Sequence, residues 1–296
     1  MKYLSKALQR IRLPITYRNR VVLGFVGVAV LAIIYSFISY RQHVKNPKDT
    51  TLPNLAQLAD GLRKATTPEK NDLAIALGFE QPPESIWNDI SNTWLFRDIT
   101  ATYWRLFLGL LLGVTISVLI GTLMGCYEWI SALLLPPISF LTYVPGTAML
   151  SVFFVLVSSG EQMFIAMIGF GIMPTLTRAI YLAARDDLHE EEIYKAYTLG
   201  ASNMEVIIDV VFCKILPKIW DNVRLQIGPA MVFLIAAEML NGDVGMGFRV
   251  RQQQRQTSMN VVYDYLFILG VTGLFMDRGM VYLRKLTCPW FKKGNT

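Results

Sequence analysis

The chain has 296 residues, 53% of them hydrophobic and 17% charged, with a formal net charge of +6. Its polarity comes in blocks between long apolar runs, which argues against a soluble globular domain and for several membrane spans. The positive charge gathers at the two ends and gives no nucleic-acid footprint, and three dispersed cysteines offer neither a disulfide framework nor metal spacing.

In chain order, residues 1–20 form a basic terminus with Lys2, Lys6, Arg10, Arg12, Arg18 and Arg20. Residues 21–40 carry no charge over 20 positions, enough to cross a hydrocarbon core of roughly 30 Å at about 1.5 Å per residue. No small-x-small cleavage site follows Tyr40, so this run reads as an anchor. Residues 41–104 are the predicted outer connector, cut by Pro47, Pro53, Pro68, Pro82 and Pro83, with a short helix predicted over 55–64.

Residues 105–284 read as the membrane core. A second span is predicted over 106–127, where Gly109, Gly113, Ser117, Gly121 and Gly125 recur every fourth residue. Such a ridge of small side chains lets two helix backbones approach closely, in a tight core or a dimer contact. Residues 129–160 are a third apolar run containing Pro136, Pro137 and Pro145, predicted as one kinked span. Later spans are predicted over 162–181, 223–240 and 263–283, and residues 285–296 form a basic tail.

Six spans with basic ends place both termini in the cytoplasm, by the excess of Lys and Arg on that side. The loop 241–260 runs against this rule, since it carries Arg249, Arg251 and Arg255 on the predicted outer side. Charged residues inside spans are costly and each needs a reason. Glu238 is the sharpest: it either lines a path or gate near the outer end, or sits at interface depth paired with Arg249 or Arg251. For Arg178, Arg224 and Asp277, snorkelling or mutual pairing is the expected account.

Residues 186–217 are water-compatible. Asp187 with Glu190, and Ser202 with Glu205, have capping-box spacing. Gly200 lies between them, where a helix-ending left-handed residue belongs. The pattern predicts a helix over 188–199, a turn at Gly200-Ala201 and a second helix after Ser202. Ile193, Tyr194, Ala196, Tyr197 and Leu199 follow the acidic Glu190, Glu191 and Glu192, with a single Lys195. An acidic face is repelled by anionic lipid, so a protein groove suits this elbow better than a membrane surface. No phosphate-binding G-x-x-x-x-G-K-[ST] loop exists, nor any Gly-Lys pair, and a serine nucleophile elbow is also missing. An enzyme is not expected.

The run from Lys195 to Ser202, with Val210 and Leu216-Pro217, resembles the EAA loop of ABC-importer permeases, the inner-membrane components of binding-protein-dependent transport. The wider chain is similar to the nitrate, sulfonate, taurine and bicarbonate branch, through Thr102 to Arg105, the stretch 136–148, Asp221 to Leu225, Ala237-Glu238-Met239, Gly245-Met246-Gly247 and Cys288-Pro289-Trp290. The family's Glu-Ala-Ala is here Tyr194-Lys195-Ala196, leaving Glu191 or Glu192 to replace the acid. Cys213 stands where a proline is usual, and Gly146 where a second proline often follows Pro145.

The resemblance implies an all-α membrane protein of about six transmembrane helices with a cytoplasmic coupling helix at 187–202. It implies a bacterial inner-membrane homodimer surrounded by lipid, with ABC ATPase subunits inside and a periplasmic or lipid-anchored solute-binding protein outside. ATP and Mg would belong to the ATPase, and this chain would hold no cofactor, metal or catalytic residue. Coupling would fall to Glu191, Glu192, Ile193, Tyr194, Lys195, Ala196, Tyr197, Leu199, Gly200, Ala201 and Ser202, and the pathway or gate to Glu238, Pro145, Met231 and Arg224. The solute would be small and anionic. A passive channel or secondary carrier, working without an ATPase, is the alternative.

Overall fold

The computed structural model describes residues 16–46, 51–66, 93–157 and 160–291. The basic residues Lys2, Lys6, Arg10, Arg12, Lys292 and Lys293, and Pro47, Pro68, Pro82 and Pro83 of the connector, lie outside them. The described elements are helical: α1 Tyr17–Lys45, α2 Leu55–Thr66, α3 Trp94–Cys126, α4 Glu128–Thr142, α5 Leu150–Val157, α6 Glu161–Asp187, α7 Glu190–Thr198, α8 Asn203–Asn241, α9 Met246–Arg255 and α10 Met259–Thr287. Within α8, Val206–Phe212 is wound as a π-helix.

Among the described residues, five helices are long and apolar enough to cross a membrane: α1 over Val21–Val44, and α3, α6, α8 and α10. The third predicted span is corrected. It divides into α4, 15 residues long, and α5, eight residues long. The cause is Pro145, which lacks an N–H and drives the preceding Val144 away from helical geometry. Tyr143 and Val144 close the last turn of α4 with bonds of 3.1 Å to Phe140 and Leu141 carbonyls. Gly146 then tucks against the Phe233 ring, where a Cβ would come within 2.7 Å.

The second span is longer than its apolar stretch. Thr93 caps α3 by accepting the Phe96 N–H at 3.3 Å, so the helix begins 12 residues before the predicted start at 106. The expected boundary at 104/105 therefore falls inside one continuous helix. The small-residue ridge of α3 packs within the chain, onto α6. A Cβ added at Gly109 would lie 2.6 Å from Ile168, at Gly113 2.7 Å from Ile172, and at Gly125 2.4 Å from Ala184. Ser117 takes its place in the series by donating to the Met173 carbonyl at 3.2 Å.

Among the described residues the core has a cluster at each end of the bundle, one between, and a small one of Met124, Ile138 and Tyr181 where α4 meets α3 and α6. Leu106, Met167, Ile168, Ile172 and Leu234 fill the middle, where α3, α6 and α8 meet. Leu176, Ile180, Val206, Val211 and Ile215 pack beneath α7. At the far end, Ala65 of α2 joins Met246, Val250, Val262 and Tyr265. The helix predicted over 55–64 is α2, which is tied back to α1 by Tyr35 donating to the Pro53 carbonyl at 2.7 Å and Ser39 to that of Leu52 at 3.0 Å.

Candidate functional site

The elbow between α6 and α8 is built by local chemistry. After Thr198 the chain closes a Schellman motif: the Gly200 N–H bonds to the Tyr197 carbonyl at 3.0 Å and the Ala201 N–H to the Ala196 carbonyl at 3.1 Å. This geometry needs a left-handed residue, and Gly200 has φ +87°. Ser202 then starts α8 with a complete capping box, its N–H donating to Glu205 at 2.7 Å and its hydroxyl accepting the Glu205 N–H at 3.4 Å. The box predicted for Asp187 with Glu190 does not form. Asp187 ends α6 and pairs with Lys218 at 2.5 Å, while α7 begins after His189 without a side-chain cap, so it runs over Glu190–Thr198 and not 188–199. A charge partner across the elbow is worth more to Asp187 than a single N–H of a short helix.

The elbow has an inner and an outer face. Ile193, Ala196 and Ala201 pack on the core beneath. Tyr194, Tyr197 and Leu199 face out, exposed by 62%, 44% and 88%, and Tyr197 donates to Asn203 at 3.0 Å. Glu191, Lys195, Gly200 and Ser202 are also exposed. Of the two candidate acids, Glu192 is held by Lys214 of α8, and that hydrogen bond keeps its carboxyl below the usual range. Glu191 is the one left to solvent. The three acids in the first turn of α7 also complement its N-terminal dipole.

At the opposite end of the bundle lies a buried ionic cluster. Glu238 of α8 is wholly buried and accepts from Arg105 Nη1 at 2.9 Å, the Gly247 N–H at 2.9 Å and the Thr102 hydroxyl at 3.0 Å. Arg105 also donates to the Val244 carbonyl at 2.7 Å and grips Glu161 with Nε and Nη2 at 2.7 and 2.5 Å. Beside it, Asp98 accepts from Arg249 Nε at 2.9 Å, Tyr265 at 2.8 Å and the Gly245 N–H at 3.1 Å. Gly245 (φ +132°) is required twice over, because a Cβ there would lie 2.5 Å from Glu238 Oε1.

The cluster corrects the predicted pairing of Glu238 with Arg249 or Arg251. Arg249 serves Asp98, and Arg251 bonds to the Met239 and Leu240 carbonyls. Arg105 stands just outside the apolar run that marks the predicted span, so hydropathy does not single it out as a partner for Glu238. The available signal was spacing: Asp98, Thr102 and Arg105, at i, i+4 and i+7, share one face of α3.

The other pathway candidates are not brought together. Pro145 is exposed at the α4–α5 break. Met231 is half-buried against the middle core, 3.8 Å from where a Cβ at Gly273 would stand. Arg224 pairs with Asp277 of α10, Nη2 to Oδ2 at 2.7 Å, as mutual pairing required.

Comparison with known proteins agrees with this geometry. The family described as binding-protein-dependent transport system inner membrane component matches residues 103–287. A probable ABC transporter permease of Brucella abortus is 29% identical over 203 residues, spanning 69% of this chain and 81% of that protein. The taurine transport system permease protein of Escherichia coli is 26% identical over 196 residues, 66% and 71% of the two chains. The bicarbonate transport system permease protein of Synechocystis is 25% identical over 228 residues, 70% and 80%. Among solved structures, the inward-facing MetNI methionine ABC transporter shares the fold, with TM-score 0.51 at 16% identity over 70% of this chain and 99% of that one. An all-α membrane bundle, a Gly-hinged elbow at one end and a family match across the whole core lead to one conclusion: the chain belongs to the binding-protein-dependent transport system inner membrane components, the permease subunits of ABC importers.

Proposed function

We propose that this permease carries a small oxyanionic solute inward, as a homodimer with two ATPase subunits docked on its elbows. Relatives named for taurine, bicarbonate, nitrate and aliphatic sulfonates support the solute class. A solute-binding protein would deliver it on the far side. The termini, the elbow and the ATPases then share the cytoplasmic side, and ATP with Mg belongs to the ATPases.

The observation that carries the reading is the elbow itself. Tyr194 and Tyr197 on a helix of nine residues, and Leu199 just past its end, present apolar surface, while the inner face is already used for packing. Aromatic anchors projecting from a backed, capped support are what a partner groove grips. The elbow passes directly into α8, so displacement of one moves the other. A channel or carrier needs no such handle; solute flux through the purified chain alone in liposomes would overturn the proposal.

Gly200→Val tests the coupling. A β-branched residue is strained at positive φ by about 1–2 kcal/mol, too little to prevent insertion but enough to distort the turn. Uptake by cells should fall roughly 5- to 150-fold, the span of a coupling free energy of about 1–3 kcal/mol, while the amount in the membrane holds. Unchanged uptake would count against the elbow's role.

A further inference from the structure

We propose that the outward edge of Arg105 is a binding station for the oxyanion group of the solute, and that Glu161 is a tethered placeholder occupying it when no solute is present. The proposal deepens the importer reading and rests on it for the solute's identity.

The two carboxylates on Arg105 differ sharply in surroundings. Glu238 has no exposure and spends its acceptors on Thr102, Gly247 and one guanidinium nitrogen. Glu161 is 61% exposed, yet its two oxygens meet Nε and Nη2 of a side chain only 6% exposed. The fork is therefore held from within by Glu238 and Val244, and its other edge opens to the surface of the chain through Glu161. Phe164, one turn along α6, lies under the guanidinium with its ring centroid 4.5 Å away and fixes the plane of the fork.

A bidentate guanidinium edge is shaped for two oxygens on one centre, as in a carboxylate, nitrate, bicarbonate or sulfonate. Replacing Glu161 by one such monoanion keeps a single negative charge on the outward edge of the fork. It also supplies acceptors to the same two N–H groups, on Nε and Nη2, that Glu161 holds, so the exchange uncovers no bond that the buried cation already makes. Only the Glu161 side chain has to swing, because the small-residue ridge holds α3 and α6 together below it. The station lies at the end of the bundle away from the elbow, where an imported solute would enter.

The test uses the purified chain in lipid nanodiscs, without ATPase or binding protein, so the importer reading and the station are judged separately. Thermal unfolding of the wild type, Glu161→Ala and Glu161→Gln is followed against nitrate, bicarbonate and taurine, with chloride at matched ionic strength. In chloride both variants should melt below the wild type. At least one of the three oxyanionic compounds should restore Glu161→Ala, with apparent affinity roughly tenfold or more above that of the wild type, whose tethered carboxylate competes. Glu161→Gln, neutral but still offering an oxygen, should fall between, and it serves alone should the alanine variant not fold. Equal responses to chloride and to all three compounds, or equal responses in variant and wild type, would overturn the station. Failure of an ATPase to co-purify would bear on the importer reading alone.

Discussion

Arg105→Met should be the most damaging single change in the far half of the bundle. It leaves Glu238 wholly buried with its Thr102 and Gly247 donors but without its cation, and removing one partner of a buried ion pair costs about 3–5 kcal/mol. A membrane domain with ordinary marginal stability loses a large part of it. Monodisperse yield in detergent should collapse, and any surviving protein should melt well below the wild type. The double variant Arg105→Met/Glu238→Leu discriminates the cause, since removing both charges avoids the orphaned carboxylate. It should recover part of the loss, leaving a coupling term between the sites that a double-mutant cycle reads directly. Additive losses would show that the two residues act independently.

Gly113→Leu should rank next. A Cβ at Gly113 meets Ile172 at 2.7 Å and the Gly169 carbonyl at 3.0 Å, so α6 must move before the rest of a leucine is placed. Overpacking of a tight core costs typically about 1–3 kcal/mol and more where backbone must shift. The same ridge spacing makes a graded experiment available. Gly113→Ala should lower the melting midpoint less than leucine, and Gly113→Ala with Ile172→Val should recover part of it. Gly24→Ala on α1, where nothing lies within 4 Å, should leave stability within about 0.5 kcal/mol. A Gly113→Leu protein as stable as the wild type would mean that α3 and α6 do not meet along this face.

These two sites also show what the sequence could and could not disclose. The elbow was legible because its signals are local: Gly200, Ser202 and Glu205 lie within six residues, and each has one strong backbone preference. Asp187 misled because the competing partner, Lys218, lies 31 residues on, beyond the reach of a capping rule. The ridge was legible as spacing, but its partner helix was not, since Ile168, Ile172 and Ala184 look like any apolar residues. Arg105 and Glu238 are 133 residues apart, and neither belongs to a short motif naming the other. The 129–160 run exposed its prolines, yet whether a proline bends a helix or ends it depends on what the following residues pack against, here Gly146 on Phe233.

α8 has a consequence for how force travels through the molecule. It is one helix of 39 residues, about 58 Å at 1.5 Å per residue, with Ser202 at one tip and the Glu238 clamp three residues from the other. Pro217, Pro229 and the π-wound stretch soften it without interrupting it. No linker intervenes to absorb a sideways push. On the proposed coupling, a tug on the Ser202 tip would arrive at the far tip as a tilt, in the manner of a crankshaft, with the fulcrum wherever α3 and α6 grip the shaft.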